Sequence, residues 1–265
     1  MKDNILLFIK GFIVGCGKII PGVSGGMLAI IFGIYDKGIN AIANFFKDVK
    51  NNTKFLFIVG LGFVLSIIMT SNLLSYLLNN YYVSIMFLFI GLISGGLIDT
   101  IKKGNIKKHY LAFSIPIMIL FILHFYEDTL SQLPINFFTL ILIGGIDAFT
   151  MIVPGISGTA IFMLLGCYDD VLLLFGTFNI ERLIPFFIGV CLFSIIFIKI
   201  IDYMLKNKNT LSYTIILGFT IGSCLLLIFQ TLDSVIFFYQ YFISLLMFFI
   251  GFIVSILLEK FIWYN

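Results

Sequence analysis

Two short segments of this sequence combine a helix breaker with small hydrogen-bonding residues inside long apolar runs. Residues 21–26 have the sequence PGVSGG, and residues 154–159, 133 positions later, have the sequence PGISGT. Proline ends an incoming helix and glycine allows a turn at positive φ, so each segment predicts a break in a helix. The serine that follows can cap an outgoing helix, whose first amides are free and lie at the positive end of its dipole.

Helix starts of this kind suit an anion, and phosphate in particular. We call residues 21–26 the first tip and residues 154–159 the second tip, and we predict that together they hold one phosphate from opposite sides. The predicted binding residues are Ser24, Gly25, Gly26, Ser157, Gly158 and Thr159. The predicted structural hinges are Pro21, Gly22, Pro154 and Gly155. The simpler alternative is that each tip is only a tight hairpin with a capping serine.

The composition indicates an integral membrane protein. The chain has 265 residues, of which 61% are hydrophobic and 11% are charged. A soluble domain carries far more charge, roughly 25%. Apolar runs near the length of a bilayer span recur without the two-residue alternation of an outer-membrane barrel, so the spans are predicted to be helices.

The breaks and spans occur in the same order in both halves of the chain. Gly11 and Gly33 have counterparts in Gly144 and Gly166 at the same offset of 133 positions. We predict an all-α polytopic membrane protein with two inverted repeats, each a re-entrant helical hairpin plus three transmembrane helices. Repeat 1 covers 1–134, with a hairpin at 5–35 and spans at 55–78, 83–101 and 109–126. Repeat 2 covers 135–265, with a hairpin at 135–168 and spans at 183–205, 211–230 and 235–258. Gly-xxx-Gly pairs at 91/95 and 218/222 predict close helix packing in corresponding spans.

The distribution of charge favours hairpins that return to the side they entered from. The N-terminus, the polar loop 36–54, the basic loops 102–108 and 206–209 and the C-terminus then share one side. All but two of the sixteen Lys and Arg belong to that side or to the first hairpin; Lys199 lies inside the span 183–205, and Arg182 lies on the opposite side. The positive-inside rule therefore predicts that both termini are cytoplasmic. Three spans per repeat invert the second repeat, so the tips are expected to meet near the midplane, as in many transporters.

Three ionisable residues near the tips are further candidates, because charges at membrane depth are costly and usually functional. Lys18 precedes the first tip and could neutralise a phosphate, or it could snorkel to the interface. Asp147 precedes the second tip and could carry a coupling proton, pair with Lys18 or reach the interface. Arg182 could receive a phosphate by a bidentate contact, or it could pair with Glu181 or Asp170.

The residues of the two tips also carry a family resemblance. Residues 20–26 with 33–35 (IPGVSGG and GIY) and 153–158 with 166–168 (VPGISG and GCY) resemble the paired signatures of the bacterial polyprenyl-phosphate transporter family, formerly a membrane domain family of unknown function. The first signature differs at Met27, where the family commonly has Thr. The resemblance implies a flippase that returns undecaprenyl phosphate from the outer to the inner leaflet of the bacterial cytoplasmic membrane, for reuse in envelope synthesis.

Two other functions remain open on the sequence. One is an ion or small-anion channel or transporter. The other is an undecaprenyl pyrophosphate phosphatase, but glycines follow the tip serines, where such an enzyme needs an arginine, and neither hairpin contains a glutamate. We therefore predict a protein that is not an enzyme and has neither a cofactor nor a metal site. Its expected partners are the polyprenyl phosphate and the surrounding membrane lipids, and a homodimer stays open.

Overall fold

The described part of the chain is helical in a computed structural model. The helices are α1 (Lys2–Ile19), α2 (Gly25–Ile31), α3 (Tyr35–Ala43), α4 (Val49–Lys103), α5 (Tyr110–Phe125), α6 (Phe137–Ile152), α7 (Ile180–Asn207), α8 (Asn209–Asp233) and α9 (Tyr239–Trp263). A turn of 3-10 helix, Phe45–Lys47, lies between α3 and α4. The structure describes residues 2–19, 24–125, 134–156, 158, 161–162, 165–167, 170–171, 173–174, 179–233 and 239–263.

The predicted class, an all-α polytopic membrane protein, is confirmed. Five helical segments in the described ranges are long and apolar enough to cross a bilayer: Val49–Thr70, Tyr76–Lys103, Ile180–Asn207, Asn209–Leu232 and Gln240–Leu257. Their outer faces expose large apolar side chains, among them Ile68, Ile195 and Phe242. Such faces are stable against lipid but not against water. The predicted span 109–126 corresponds to α5, which is apolar but has only 16 residues.

Helix α4 contains two of the predicted spans. Its 55 residues would extend for about 80 Å if straight, far more than a bilayer of about 30 Å. The backbone leaves the helical region at Tyr81, with φ −135° and ψ 36°, between the spans predicted at 55–78 and 83–101. At its start, Asp48 caps the helix by accepting from the amide of Asn51 at 3.3 Å. Lys102 and Lys103 in the last turn complement its dipole.

The prediction of a polar loop at 36–54 is wrong. Most of that stretch is helical, because it contains α3, the 3-10 turn and the first turn of α4. One face of α3, with Tyr35 and Ile39, packs against Ile198 and Leu205 of α7. Although the segment is mostly polar, the apolar surface that this face buries against α7 stabilises it as a helix.

The same turn occurs at Gly33, after α2, and at its counterpart Gly166. Gly33 has φ +66° and Gly166 has φ +62°, values that favour glycine. The amide after each glycine donates to a carbonyl five residues earlier, Ile34 to Ala29 at 2.9 Å and Cys167 to Phe162 at 3.0 Å. This bond is typical of a Schellman stop. After Gly33 the chain bends by 112° between α2 and α3.

The incoming helix of each hairpin packs closely on the next long helix of its own half. A Cβ atom built on Gly11 of α1 would collide with the backbone of Val59 in α4. A Cβ atom built on its counterpart Gly144 in α6 would collide with the backbone of Phe186 in α7. Both hairpins are therefore fixed to their halves by backbone contact, which only glycine permits at these points.

The two Gly-xxx-Gly pairs join the halves to each other, and the predicted close packing is confirmed. Gly91 of α4 meets the backbone of Phe248 in α9, the last helix of the second half. Gly218 of α8 meets the backbone of Phe113 in α5, the last described helix of the first half. The second long helix of each half thus packs on the last helix of the other. The inverted orientation of the two halves stays a prediction.

Candidate functional site

The described part of the first tip begins at Ser24, since Pro21 and Gly22 lie outside the described residues. Ser24 is buried and occupies the N-cap position of α2, with φ −90° and ψ 125°. Its carbonyl accepts from the amide of Met27 at 3.0 Å, but its side chain makes no capping bond. The predicted N-cap position is confirmed, whereas the expected capping by the hydroxyl is wrong. Among the described residues, no acceptor bonds to the amides of Gly25 and Gly26.

Met27 follows these glycines and is a packing residue. Its side chain is almost fully buried in a cluster with Leu28 and Phe32 of the first hairpin and Met86 and Ile90 of α4. A thioether fills such an apolar space well. The departure from the usual family signature at this position therefore serves packing in this chain.

The second tip makes its turn at Gly155, as predicted. Gly155 has φ +87°, so the predicted positive-φ turn is confirmed there. A Cβ atom on Gly155 would lie 2.7 Å from the carbonyl carbon of Phe219 and 2.8 Å from the amide nitrogen of Thr220, both in α8. The hydroxyl of Ser223, one turn further along α8, donates to the carbonyl oxygen of Gly155. Helix α8 therefore supports the break from one side.

Asp147 faces the second tip. Its Oδ1 atom would lie 3.7 Å from a Cβ atom built on Gly158, and the Oγ1 atom of Thr150 would lie 2.7 Å from the same point. The Thr150 hydroxyl donates to the carbonyl oxygen of Asp147 at 2.9 Å. The two other predicted residues of this tip, Ser157 and Thr159, lie outside the described residues.

The two tips contact each other. A Cβ atom on Gly26 would lie 3.3 Å from the Cα atom of Pro154 and 3.4 Å from the carbonyl oxygen of Met151. Next to this contact, the hydroxyl of Tyr35 donates to the carbonyl oxygen of Ile152 at 2.5 Å. Ile152 is the last residue of α6, so this bond satisfies a carbonyl that the break leaves without a helical partner. Segments more than a hundred residues apart thus form one unit.

The structure does not bring Arg182 to this unit. Arg182 is exposed in the first turn of α7, where its amide donates to the side chain of Asn179 at 3.3 Å. No described contact joins its guanidinium to either tip, or to Glu181 or Asp170. Lys18 occupies the last turn of α1, next to the first tip, and its side chain lies outside the described residues.

Tyr35 and Ser223 are structural members of the site that the sequence did not identify in these roles. The side chain of Tyr35 is buried, and its hydroxyl holds the end of α6. Ser223 is one of several buried hydroxyl residues of α8, with Thr214 and Thr220. Buried hydroxyls in an otherwise apolar helix were the available signal, since each needs a partner.

Loss of the Ser223 hydroxyl is expected to destabilise the protein, since it leaves the buried carbonyl of Gly155 without this donor. We expect Ser223→Ala to lower the free energy of unfolding by about 1–3 kcal/mol, measured by denaturant unfolding in detergent micelles. Ser212→Ala in the same helix is the matched control, because the Ser212 hydroxyl only donates to the carbonyl of Lys208 one turn earlier. Equal losses in the two variants would contradict a specific role for Ser223.

Comparison with known proteins yields one family and two named relatives. Residues 14–236 match the model of a family described as undecaprenyl phosphate translocase-like. A polyprenyl-phosphate transporter of Staphylococcus aureus (strain NCTC 8325 / PS 47) is 33% identical, over 95% of this chain and 95% of its own. A polyprenyl-phosphate transporter of Vibrio cholerae serotype O1 (strain ATCC 39315 / El Tor Inaba N16961) is 29% identical, over 82% of this chain and 75% of its own. No solved structure matches the chain. With its paired tips and its membrane-spanning helices, the chain belongs to the undecaprenyl phosphate translocase-like family.

Proposed function

We propose that this protein transports a polyprenyl phosphate, of the undecaprenyl phosphate class, across the bacterial cytoplasmic membrane. Its two named relatives are polyprenyl-phosphate transporters, and its helices make it a multi-pass membrane protein. The contact between Gly26 and Pro154 is the observation that carries the proposal. Irregular backbone at membrane depth is tolerated when it is buried in protein or faces a wet cavity, and in transporters such breaks form substrate sites.

In this proposal the phosphate binds where the two tips meet. The Ser24 hydroxyl and the amides of Gly25 and Gly26 would donate from the first tip, since the described structure gives them no other acceptor. Ser157, Gly158 and Thr159 would contribute from the second tip. The polyprenyl chain would stay in the bilayer beside the protein. Lipid is an apolar environment that matches the chain, whereas moving the chain through a polar site would cost free energy because it would displace the water and the polar contacts of that site.

Three ionisable residues would assist at different stages. Lys18 adds a positive charge beside the first tip, and Arg182, exposed at the start of α7, would attract the phosphate before it reaches the tips. Asp147 faces Gly158 and would exchange a proton as the phosphate binds or leaves, which makes it the proposed coupling residue. Pro21 and Gly22, with Pro154 and Gly155, would be the hinges at which each hairpin adjusts.

The proposed direction is from the outer to the inner leaflet, which returns the carrier lipid for another round of envelope synthesis. The two halves would rock against each other or open one side at a time. The orientation that we propose has both termini in the cytoplasm, because it would put the basic segments 102–108 and 206–209 on the cytoplasmic side, as the positive-inside rule favours.

Flipping by the purified protein tests the function directly. Liposomes with and without the protein receive undecaprenyl phosphate, and a reagent that reaches only the outer leaflet follows its redistribution. We expect the protein to accelerate redistribution, and equal rates in both vesicle types would contradict the proposal. Release of inorganic phosphate from undecaprenyl pyrophosphate would instead support the phosphatase alternative, and ion flux without lipid movement would support the channel.

Labelling of single cysteines tests the orientation. We expect a cysteine at Asn80 to react with a membrane-impermeant maleimide in intact cells and a cysteine at Lys107 to react only after lysis. Both native side chains are exposed, so each substituted position is accessible to the reagent. The native cysteines are replaced first, because Cys191 is also exposed. Labelling of position 107 from outside would overturn the orientation.

A further inference from the structure

The start of α3 is joined to two helices of the second half by hydroxyl groups. The hydroxyl of Tyr35, the first residue of α3, donates to the carbonyl oxygen of Ile152 at the end of α6, at 2.5 Å. The hydroxyl of Tyr213 in α8 donates to the Oδ2 atom of Asp36 at 2.5 Å. Tyr35 and Tyr213 are buried, so their rings fix the start of α3 against α6 and α8.

The rest of α3 is joined to the end of α7 by polar side chains. The ammonium of Lys206 donates to the Oδ1 atom of Asn40 at 2.8 Å. The side-chain amide of Asn44, directly after α3, donates to the Oδ2 atom of Asp202 at 3.1 Å, and Lys206 forms an ion pair with the same oxygen at 2.7 Å. Asn40 and Lys206 are exposed, so water can replace their contact at little cost in free energy.

An apolar cluster is buried between α3 and the second half. Tyr35 and Ile39 of α3 belong to it, together with Ile152 of α6 and Leu205 of α7. Ile152 lies two residues before the second tip, whereas Leu205 lies in the last turn of α7. The cluster therefore extends from the tips to the level at which α7 ends and α8 begins.

The contacts of α3 differ in kind from the glycine contacts between the halves. Gly91 and Gly218 meet backbone atoms of α9 and α5, so these helices cannot slide past each other without losing close packing. At Gly33, between α2 and α3, which meet at 112°, a Cβ atom would have nothing within 4 Å. The chain therefore has a close-packed joint between its halves and, at Gly33, an uncrowded bend at which α3 can turn.

We propose that α3 is a gate over the two tips, which leaves the second half each time a polyprenyl phosphate is released on its side. The gate rests on the proposed function and on the proposed orientation, in which the segment 206–209 beside α3 is cytoplasmic. The structure has this gate closed. When it opens, α3 turns about Gly33, its polar contacts exchange for water, and the phosphate passes from the tips to the inner leaflet.

A reducible tether across the gate tests whether α3 must move. Asn40 and Lys206 are replaced by cysteine in a chain without its native cysteines, and a short bis-methanethiosulfonate joins the two thiols. Both positions are exposed, and the spacer of the reagent takes up the length that Lys206 loses. We expect the tether to slow undecaprenyl phosphate flipping in proteoliposomes by about tenfold or more, because a locked gate stops transport, and we expect reduction to restore flipping.

A tether within α3 is the matched control. Cysteines replace Asn40 and Asn44, which lie one turn apart and whose side chains are joined by a hydrogen bond of 2.9 Å. The same reagent then joins two thiols without attaching α3 to the second half. Flipping should stay within about twofold of the same variant before cross-linking, so that loss of the bond between Asn44 and Asp202 affects both measurements equally.

A weaker hold on α3 should make the first tip more accessible. Tyr213→Phe removes the hydroxyl that donates to Asp36 and keeps the ring in the buried cluster. A cysteine in place of the buried Ser24 should then react about two- to tenfold faster with a small methanethiosulfonate in detergent, because the open gate is more populated. Tyr203→Phe, at an exposed position of α7, should leave the rate unchanged.

The outcomes separate the gate from the transport function. If the wild type does not accelerate flipping, the proposed function itself fails. If the wild type flips the lipid and the tether between positions 40 and 206 leaves the rate unchanged, only the gate is overturned. Equal labelling of position 24 with and without Tyr213→Phe would also overturn the gate, because the bond to Asp36 would then not hold α3 over the tips.

Discussion

Replacement of Gly26 by valine is expected to slow polyprenyl phosphate flipping by about ten- to a hundredfold. The Cβ atom alone would lie 3.3 Å from the Cα atom of Pro154 and 3.4 Å from the carbonyl oxygen of Met151. Both are backbone atoms, so they cannot rotate away as a side chain would. The two further methyl groups of valine would force the tips apart, and a phosphate that needs donors from both tips would lose one set.

Gly60→Val in α4 is the matched control for this variant. A Cβ atom on Gly60 would meet nothing within 4 Å, so we expect flipping at the wild-type rate. Both variants are assayed in proteoliposomes after their folding is verified by size exclusion and thermal unfolding. A folded Gly26→Val protein that flips the lipid normally would show that transport does not require close contact between the tips.

Replacement of Gly155 by alanine is expected to lower the stability of the protein, and by more than replacement of Gly33 by alanine. A residue with a side chain at φ +87° costs about 1–2 kcal/mol, and overpacking against the backbone of Phe219 and Thr220 adds about 1–3 kcal/mol. We therefore expect the free energy of unfolding in detergent micelles to fall by about 2–5 kcal/mol. Flipping should fall with it, since the second tip would no longer rest on α8.

Gly33→Ala separates the two contributions. Gly33 has φ +66°, but a Cβ atom there would meet nothing within 4 Å. Its expected loss is therefore the conformational part alone, about 1–2 kcal/mol. The difference between the two variants measures how tightly the second tip is held against α8. Similar losses at both positions would mean that the contact of Gly155 with α8 contributes little.

Much of the fold follows from local patterns in the chain. Apolar runs of sufficient length predicted spans because a bilayer requires about 20 apolar residues per helix, and most of these runs are helices of that length. The positive-φ turn at Gly155 was predictable because it depends on the residue at that position. The close contacts of the Gly-xxx-Gly pairs were predictable as well, although their partner helices α9 and α5 were not.

The errors occurred where a distant segment decides the outcome. Residues 36–54 contain few apolar residues and were expected to form a loop, but a single face of α3 packs on α7 and holds the helix. Ser24 has the position of a cap without the capping bond. The hydroxyl of Tyr35 donates to the last carbonyl of α6, in the other half, and no local pattern around Tyr35 indicates that partner.

The sequence by itself determined that this is a helical membrane protein, where its helices break, and which family its paired tips resemble. Those properties depend on hydropathy, on proline and glycine, and on a signature of a few residues, all of which are local. Only the tertiary structure decided that Gly26 meets Pro154, that α8 supports Gly155 through Ser223, and that Tyr35 bonds to the end of α6. These contacts join residues up to 128 positions apart, and their partners are selected by packing in three dimensions, which spacing along the chain does not encode.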